Sequence, residues 1–248
     1  MNASAVVLGT DALAVATTDG LRSCGVDVLQ VRSYELPDLC VSLRPDSFEV
    51  ERRRIGAILL REPASAMVPL GFASDDRGFV LAELSATWLA ATQLDQVLAI
   101  NRFDAETWFD DAQWPVWRTR LARSGVQVSP LSFGDSGTGS CWRPYVGGSD
   151  RPVPTAAVRR ALGTALAHAP RTGIALFACG DPIGDRPPPP VQEAARSLRG
   201  AGVQLKSIAY DAAGRVATVD VLPALADHEV EPVASRVTAA FYDHLRRR

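Results

Sequence analysis

The opening forty residues constrain the fold most. A short apolar run at residues 5–8 is followed by Asp11, a helix-periodic stretch as far as Leu21, the stop signal Gly25, and a second apolar run at residues 26–31. Asp11 carries the side-chain oxygen that a helix N-terminus needs, and glycine suits the position just past a helix end. Strand, helix and strand in that order make the two strands parallel, because only a crossover of helical length returns the chain in the same direction. A chain that begins this way is of the α/β class.

The same punctuation continues. Tyr34-Glu35-Leu36-Pro37 reads as a loop. Residues 40–43 and 48–50 read as a hairpin about Arg44-Pro45-Asp46-Ser47, and residues 55–60 as a buried strand stopped by Arg61-Glu62-Pro63. Residues 75–95 predict one helix, with Phe79, Leu81, Leu84, Trp88, Leu89 and Thr92 at helical spacing and Trp88 in the core. Ala99-Ile100-Asn101 predicts a short strand or turn. Residues 104–124 predict a helical segment interrupted at Pro115 and stopped by Gly125. Glycine and serine crowd residues 134–150, which marks a junction. Beyond it we expect a helix at 154–168, a strand at 174–179, a stiff proline spacer at 187–190 and a helix at 191–198. A hairpin at 203–210 and 216–222 follows, and then an amphipathic helix at 229–246 with Val233, Val237, Ala240, Phe241 and Leu245 on one face. Packing on the chain's own core is the expected use of that face, with a homodimer as its rival.

Composition narrows the chemistry. The chain has 248 residues, a net charge of −2 and 47% hydrophobic residues, enough for a substantial core and a poor match to a strong nucleic-acid backbone binder. No apolar run reaches membrane-spanning length, and the first residues lack a signal-peptide pattern, so a cytoplasmic protein without a membrane partner is expected. The four cysteines, Cys24, Cys40, Cys141 and Cys179, form no C-x-x-C pair and are expected as free thiols. Lys206 is the sole lysine, which removes both a P-loop and any grip on a nucleotide by two lysines. Gly134-Asp135-Ser136-Gly137 has the outline of a serine-nucleophile loop. It reads as a linker, because no histidine is placed beside it and Thr138 stands where a nucleophile elbow ends in glycine. Asp227-His228-Glu229 reads as a solvated helix start.

The order of elements and their local sequences resemble the ATP-grasp ribosomal-peptide maturases of the microviridin and graspetide type. The opening unit ending in Tyr34-Glu35-Leu36-Pro37, the strand Ile55-Gly-Ala-Ile-Leu-Leu-Arg-Glu-Pro63 and the helix followed by Ile100-Asn101-Arg102 carry part of the resemblance. The segment ending Ser124-Gly125-Val126-Gln127-Val128-Ser129-Pro130 and the last hairpin and helix, residues 203–246, carry the rest. The resemblance implies an α/β fold: a small N-terminal parallel-sheet, pre-ATP-grasp-like domain at 1–101, a helical connection at 102–133, and a reduced ATP-grasp-like α+β domain at 134–248. It also implies chemistry in which ATP and magnesium activate a carboxylate as an acyl phosphate.

The departures fall on the positions that such chemistry uses. The resemblance places one nucleotide-binding lysine near Gln113 and the other at Arg143, in Cys141-Trp142-Arg143-Pro144-Tyr145-Val146-Gly147. It places magnesium ligands near Ser207 and at Asp220 and Leu222. Arginine keeps charge without the compact ammonium, and leucine offers a hard cation no oxygen. The expected function is therefore a degenerate relative in peptide or natural-product biosynthesis. It would bind a precursor peptide or a partner enzyme without ATP-dependent ligation, with no cofactor and no metal. Two alternatives stand beside it. One is a repurposed biosynthetic enzyme using the remnant cleft, with Arg143 binding an anionic group, Asp220 as general base and Cys141 or Cys179 as nucleophile. The other is a divergent ATP- and magnesium-dependent carboxylate–amine or carboxylate–hydroxyl ligase. A surface arginine, a hairpin aspartate and small buried hydrophobes are the structural readings of the same residues.

Overall fold

The computed structural model describes residues 3–61, 74–102, 114–129, 132–133, 166–167 and 173–248. Strand β1 (Ser4–Leu8) is buried along its whole length, as a central parallel strand covered on both faces must be. Helix α1 (Ala12–Ser23) starts where Asp11 accepts a hydrogen bond from the Ala14 amide. It returns the chain to β2 (Val28–Val31), which pairs parallel with β1. The expected loop at 34–37 is a short 3-10 turn, Ser33–Asp38. β3 (Val41–Arg44) and β4 (Ser47–Val50) make the hairpin, and β4 runs antiparallel into β5 (Arg53–Leu60). Helix α2 (Ser74–Gln93) then leads to β6 (Leu98–Ile100). The six-stranded sheet has the order β2-β1-β5-β4-β3, with β6 on the other part of β5; β2, β1, β5 and β6 are mutually parallel.

Helix α3 (Trp114–Arg123) begins at Trp114-Pro115, so the proline expected to interrupt a longer helix lies in its first turn, where no intrahelical N–H is needed. β7 (Ser132–Phe133) pairs with β8 (Leu166–Ala167). The end of the helix expected at 154–168 is thus a strand; the rest of that expectation lies outside the described residues. β9 (Gly173–Ala178) and β10 (Asp181–Ile183) form a hairpin. The proline spacer ends inside helix α4 (Pro189–Gly200), whose first positions tolerate proline. β11 (Leu205–Tyr210) and β12 (Val216–Asp220) form the last hairpin, and α5 (Asp227–Arg246) follows. The second sheet is antiparallel in the order β10-β9-β11-β12.

The core crosses between the two sheets. Val6, Ile58 and Trp88 pack in one cluster with Phe177, Leu198 and Ile208. Trp88 meets Phe48 edge-to-face, ring centroids 5.2 Å apart, so it is core as its spacing predicts. Phe79, counted on the same helix face, is exposed. α5 packs on α1 and β5 with Val233, Ala234, Val237, Phe241 and Leu245 buried, while Ala240 is only half-buried. The close approach of α1 to α5 needs Gly20, since a Cβ there would lie 2.7 Å from Thr238 Oγ1. Among the described residues no helix is long and apolar enough to cross a membrane.

Candidate functional site

Parallel strands present their carboxyl ends together, and the residues just beyond those ends are where α/β sheets place ligand-facing groups. Here Arg61 follows β5 and Asn101 follows β6. The connection from β12 to α5, residues 221–226, lies against both.

Arg61 is the charged centre of this seam. Its side chain is 4% exposed. Nε and Nη2 donate to Asp11 Oδ2 at 2.9 and 2.7 Å, and Nη2 also donates to the Pro223 carbonyl at 2.9 Å. Asp11 therefore has two duties: Oδ1 caps α1 and Oδ2 holds the guanidinium. Nη1 of Arg61 is buried and has no hydrogen-bond partner among the described residues.

Asn101 is buried and fully engaged. Its Nδ2 donates to the carbonyls of Leu205 and Val221, and its Oδ1 accepts from the amides of Gln204 and Leu205, all within 2.6–2.7 Å. One side chain thus fixes the start of β11 and the end of β12 against the first sheet.

The hairpin places Ser207 directly opposite Asp220. Two of the three positions that the resemblance assigns to magnesium are therefore neighbours. Asp220 Oδ1 accepts from the Leu222 amide at 2.9 Å. Burial pushes its carboxyl above the usual carboxylate range, against opposing pulls from that hydrogen bond and from the Arg61 charge. The set consists of one reluctant carboxylate, one neutral hydroxyl and the apolar Leu222. It does not fit a hard divalent cation, which takes several oxygen ligands. Among the described residues no three histidine, cysteine or acidic side chains cluster as a metal site. Arg143, Gln113 and Cys141 lie outside the described residues.

Two further groups were singled out by sequence. Lys206 is completely buried on β11; Nζ donates to the Val203 carbonyl at 2.7 Å and sits 5.9 Å from the Phe177 ring centroid. Burial, with help from the Arg199 charge, pulls it down to about 7. A lysine so enclosed is no phosphate ligand. Cys179 follows β9 with φ of 55°, a left-handed conformation uncommon outside glycine. Burial pushes its thiol up to about 11, so it is protonated at neutral pH and a weak nucleophile. Cys24 and Cys40 are exposed free thiols. His228 is solvated at the start of α5, where Glu229 accepts from the Ala226 amide as expected of a helix start.

The sequence reading missed Arg61 and Asn101 as site residues. Both stood in quoted motifs at strand ends, and a charged or amide residue directly after a buried parallel strand was the available signal.

No protein-family model matches the chain, and no curated protein matches it. Solved structures do. The ATP-grasp ligase PsnB, complexed with a phosphomimetic variant of its minimal precursor, Mg and ADP, superposes with a TM-score of 0.66 at 16% identity, over 97% of this chain and 99% of that one. The fold is that of the ATP-grasp ligases. The macrocyclase MdnC of Microcystis aeruginosa MRC, bound with precursor peptide MdnA, gives a TM-score of 0.62 at 10% identity over 99% of this chain and 100% of that one. A RiPP-associated ATP-grasp ligase of Chryseobacterium gregarium, in complex with ADP and a leader and core peptide, gives 0.61 at 9% identity over 98% and 97%. At these identities the ATP-grasp likeness establishes the architecture, and the residues of the seam must speak for the chemistry.

Proposed function

We propose that this chain is an ATP-grasp-fold protein of ribosomal-peptide biosynthesis that binds a precursor peptide or a partner enzyme and does not carry out ATP-dependent ligation. The observation that carries the reading is the pair Ser207 and Asp220 with Leu222 beside it. Phosphoryl transfer is achieved by positioning and charge neutralisation, and this set can hold little positive charge in place. Structures of the same fold contain precursor peptides, which supports a peptide as the partner class. The organisation into an N-terminal domain at 1–101, a connection at 102–133 and a reduced ATP-grasp-like domain at 134–248 is part of the same proposal. Titration with Mg-ATP, with and without a precursor peptide encoded beside the gene, tests it. Peptide binding without ATP consumption is expected; micromolar Mg-ATP binding with turnover overturns it.

A second reading, a repurposed enzyme, draws support from the raised carboxyl of Asp220, which feels the charge of Arg61, and from Nη1 of Arg61, which has no hydrogen-bond partner among the described residues. Asp220 would accept and return a proton, with Arg143 binding an anionic group. In that case Arg143→Ala and Asp220→Asn abolish activity at nearly unchanged melting temperature. If both variants merely unfold, the residues are structural.

A further inference from the structure

Helix α5 spends one face on the chain's own core and leaves the neighbouring face open. Val233, Val237, Phe241 and Leu245 are buried, so the apolar stripe is closed to a partner. The stripe beside it runs through Glu231, Ser235, Thr238, Ala239, Tyr242 and Arg246, in steps of three and four residues that keep to one side of a helix. Glu231, Ser235, Ala239 and Arg246 are exposed, and Tyr242 is half-buried.

This stripe forms one wall of a hollow of about 380 Å³ whose other wall is α1. Small side chains make the hollow: Ala16 and Gly20 on α1, Ser235 and Ala239 on α5. At its floor Thr238 is 8% exposed, and its hydroxyl has no hydrogen-bond partner among the described residues. That hydroxyl faces Gly20, where a Cβ would lie 2.7 Å from it.

Charge and bulk are arranged along the stripe so that it matches its own reverse. Glu231 and Arg246 lie equally far from the midpoint between Thr238 and Ala239, and Ser235 and Tyr242 lie equally far from it closer in. A second copy laid antiparallel about that midpoint meets Glu231 with Arg246 at both ends. It also sets each Tyr242 over the small side chains of the other copy. A twofold contact requires this kind of match, because each residue meets the image of the other member of its pair.

The structural account of these charges is that an acidic start and a basic end complement the dipole of α5 itself. It covers Asp227 and Glu229 in the first turn and Arg246 in the last. It does not cover Glu231, which lies beyond the first turn, where the dipole effect has faded. Nor is Glu231 paired along its own helix, since Ala234 and Ser235 stand three and four residues on. Neither the Glu231 nor the Arg246 side chain has a hydrogen-bond or ion-pair partner among the described residues.

We infer that the groove between α1 and α5 seats a second copy of this chain, docked with the two α5 helices antiparallel. Tyr242 of each copy fills the hollow of the other, and Glu231–Arg246 pairs close both ends. The small residues at the centre let the helix axes approach to about 8–10 Å, and antiparallel helices set their dipoles in opposition. The contact lies apart from the Ser207–Asp220 seam and does not depend on whether the chain uses ATP or binds a peptide.

The test is the oligomeric state of the full chain, read by sedimentation velocity over a concentration series at low and high salt. A dimer is expected that dissociates on dilution and is weakened by salt. Glu231→Arg and Arg246→Glu each weaken it by about tenfold or more, because each change sets like charges together at two symmetry-related places. The double variant, with both charges exchanged, recovers the parent's dimer. Ala239→Trp, on an exposed position, blocks the approach and provides a second readout if a charge variant does not fold. The inference is overturned if the chain stays monomeric to about 100 μM, where a specific contact of this kind would show. It is also overturned if a dimer forms that neither the single charge variants nor Ala239→Trp weaken, or if the double variant fails to recover it. A monomeric chain whose binding of a precursor peptide is lost in Ala239→Trp overturns it too, since the groove then belongs to the peptide.

Discussion

Two regions of this molecule bury a cation, and they do so in opposite ways. At the seam, Arg61 is 4% exposed and holds Asp11 and the Pro223 carbonyl. Beneath α4, Lys206 is 0% exposed, and among the described residues its side chain makes one hydrogen bond, to the Val203 carbonyl. Arginine does not give up its proton, so it is buried with a counter-charge; lysine does, and is buried by becoming neutral. The first arrangement ties distant parts of the chain together. The second makes a long apolar stem with one polar tip, and it sets a dependence on pH.

The comparison can be broken at its strongest joint first. Asn101→Ala removes all side-chain contacts to the main chain of Gln204, Leu205 and Val221 and leaves those buried groups unpaired. A loss of about 3–5 kcal/mol in denaturant unfolding is expected. Arg61→Met is expected to cost less, about 2 kcal/mol, because the Asp11 carboxylate, 44% exposed, can return to water. If the loss is as large as for Asn101→Ala, Arg61 is bearing more of the seam than its bonds account for.

The lysine sharpens the contrast through pH. Unfolded, Lys206 keeps its proton up to its ordinary value of 10.5; folded, it releases it near 7. Between those values the unfolded chain binds the extra proton. Stability therefore rises with pH across that window, by up to about 1.4 kcal/mol per unit. Lys206→Met is expected to abolish the rise and to stabilise most at pH 6, as chemical unfolding across a pH series would show. Asp220 has the opposite sign in the acid range. Its folded carboxyl is raised, so the folded state binds the extra proton and stability falls as pH climbs through that window. Asp220→Asn keeps the hydrogen bond from Leu222, so a change below about 1 kcal/mol and a flatter acid limb are expected.

Much of the first sheet was legible because its cues are local. The apolar run of β1, the cap at Asp11 and Gly25 lie within twenty residues of one another, and the structure uses each as read. The same locality explains Val233, Val237, Phe241 and Leu245, whose spacing alone puts them on one face. Phe79 and Ala240 were misjudged because periodicity marks a face without showing what covers it. Leu166 and Ala167 fit a helical window, yet they pair with Ser132 and Phe133, more than thirty residues away. At the seam the hairpin about residues 211–214 could be read, and it sets Ser207 opposite Asp220. The bonds of Arg61 to residues 50 and 162 positions distant could not. Chain closure over such spans depends on packing of the whole core, which no local pattern encodes.

The clamp at Asn101 has a consequence for how this sequence can change over time. All four of its hydrogen bonds go to peptide groups, which every residue type but proline supplies in full. Substitutions on the last hairpin therefore leave the clamp untouched. A carboxylate could become Ser207, or an amide Leu222, without the strands losing their place. Such a joint lets the side chains of the hairpin change while the architecture persists.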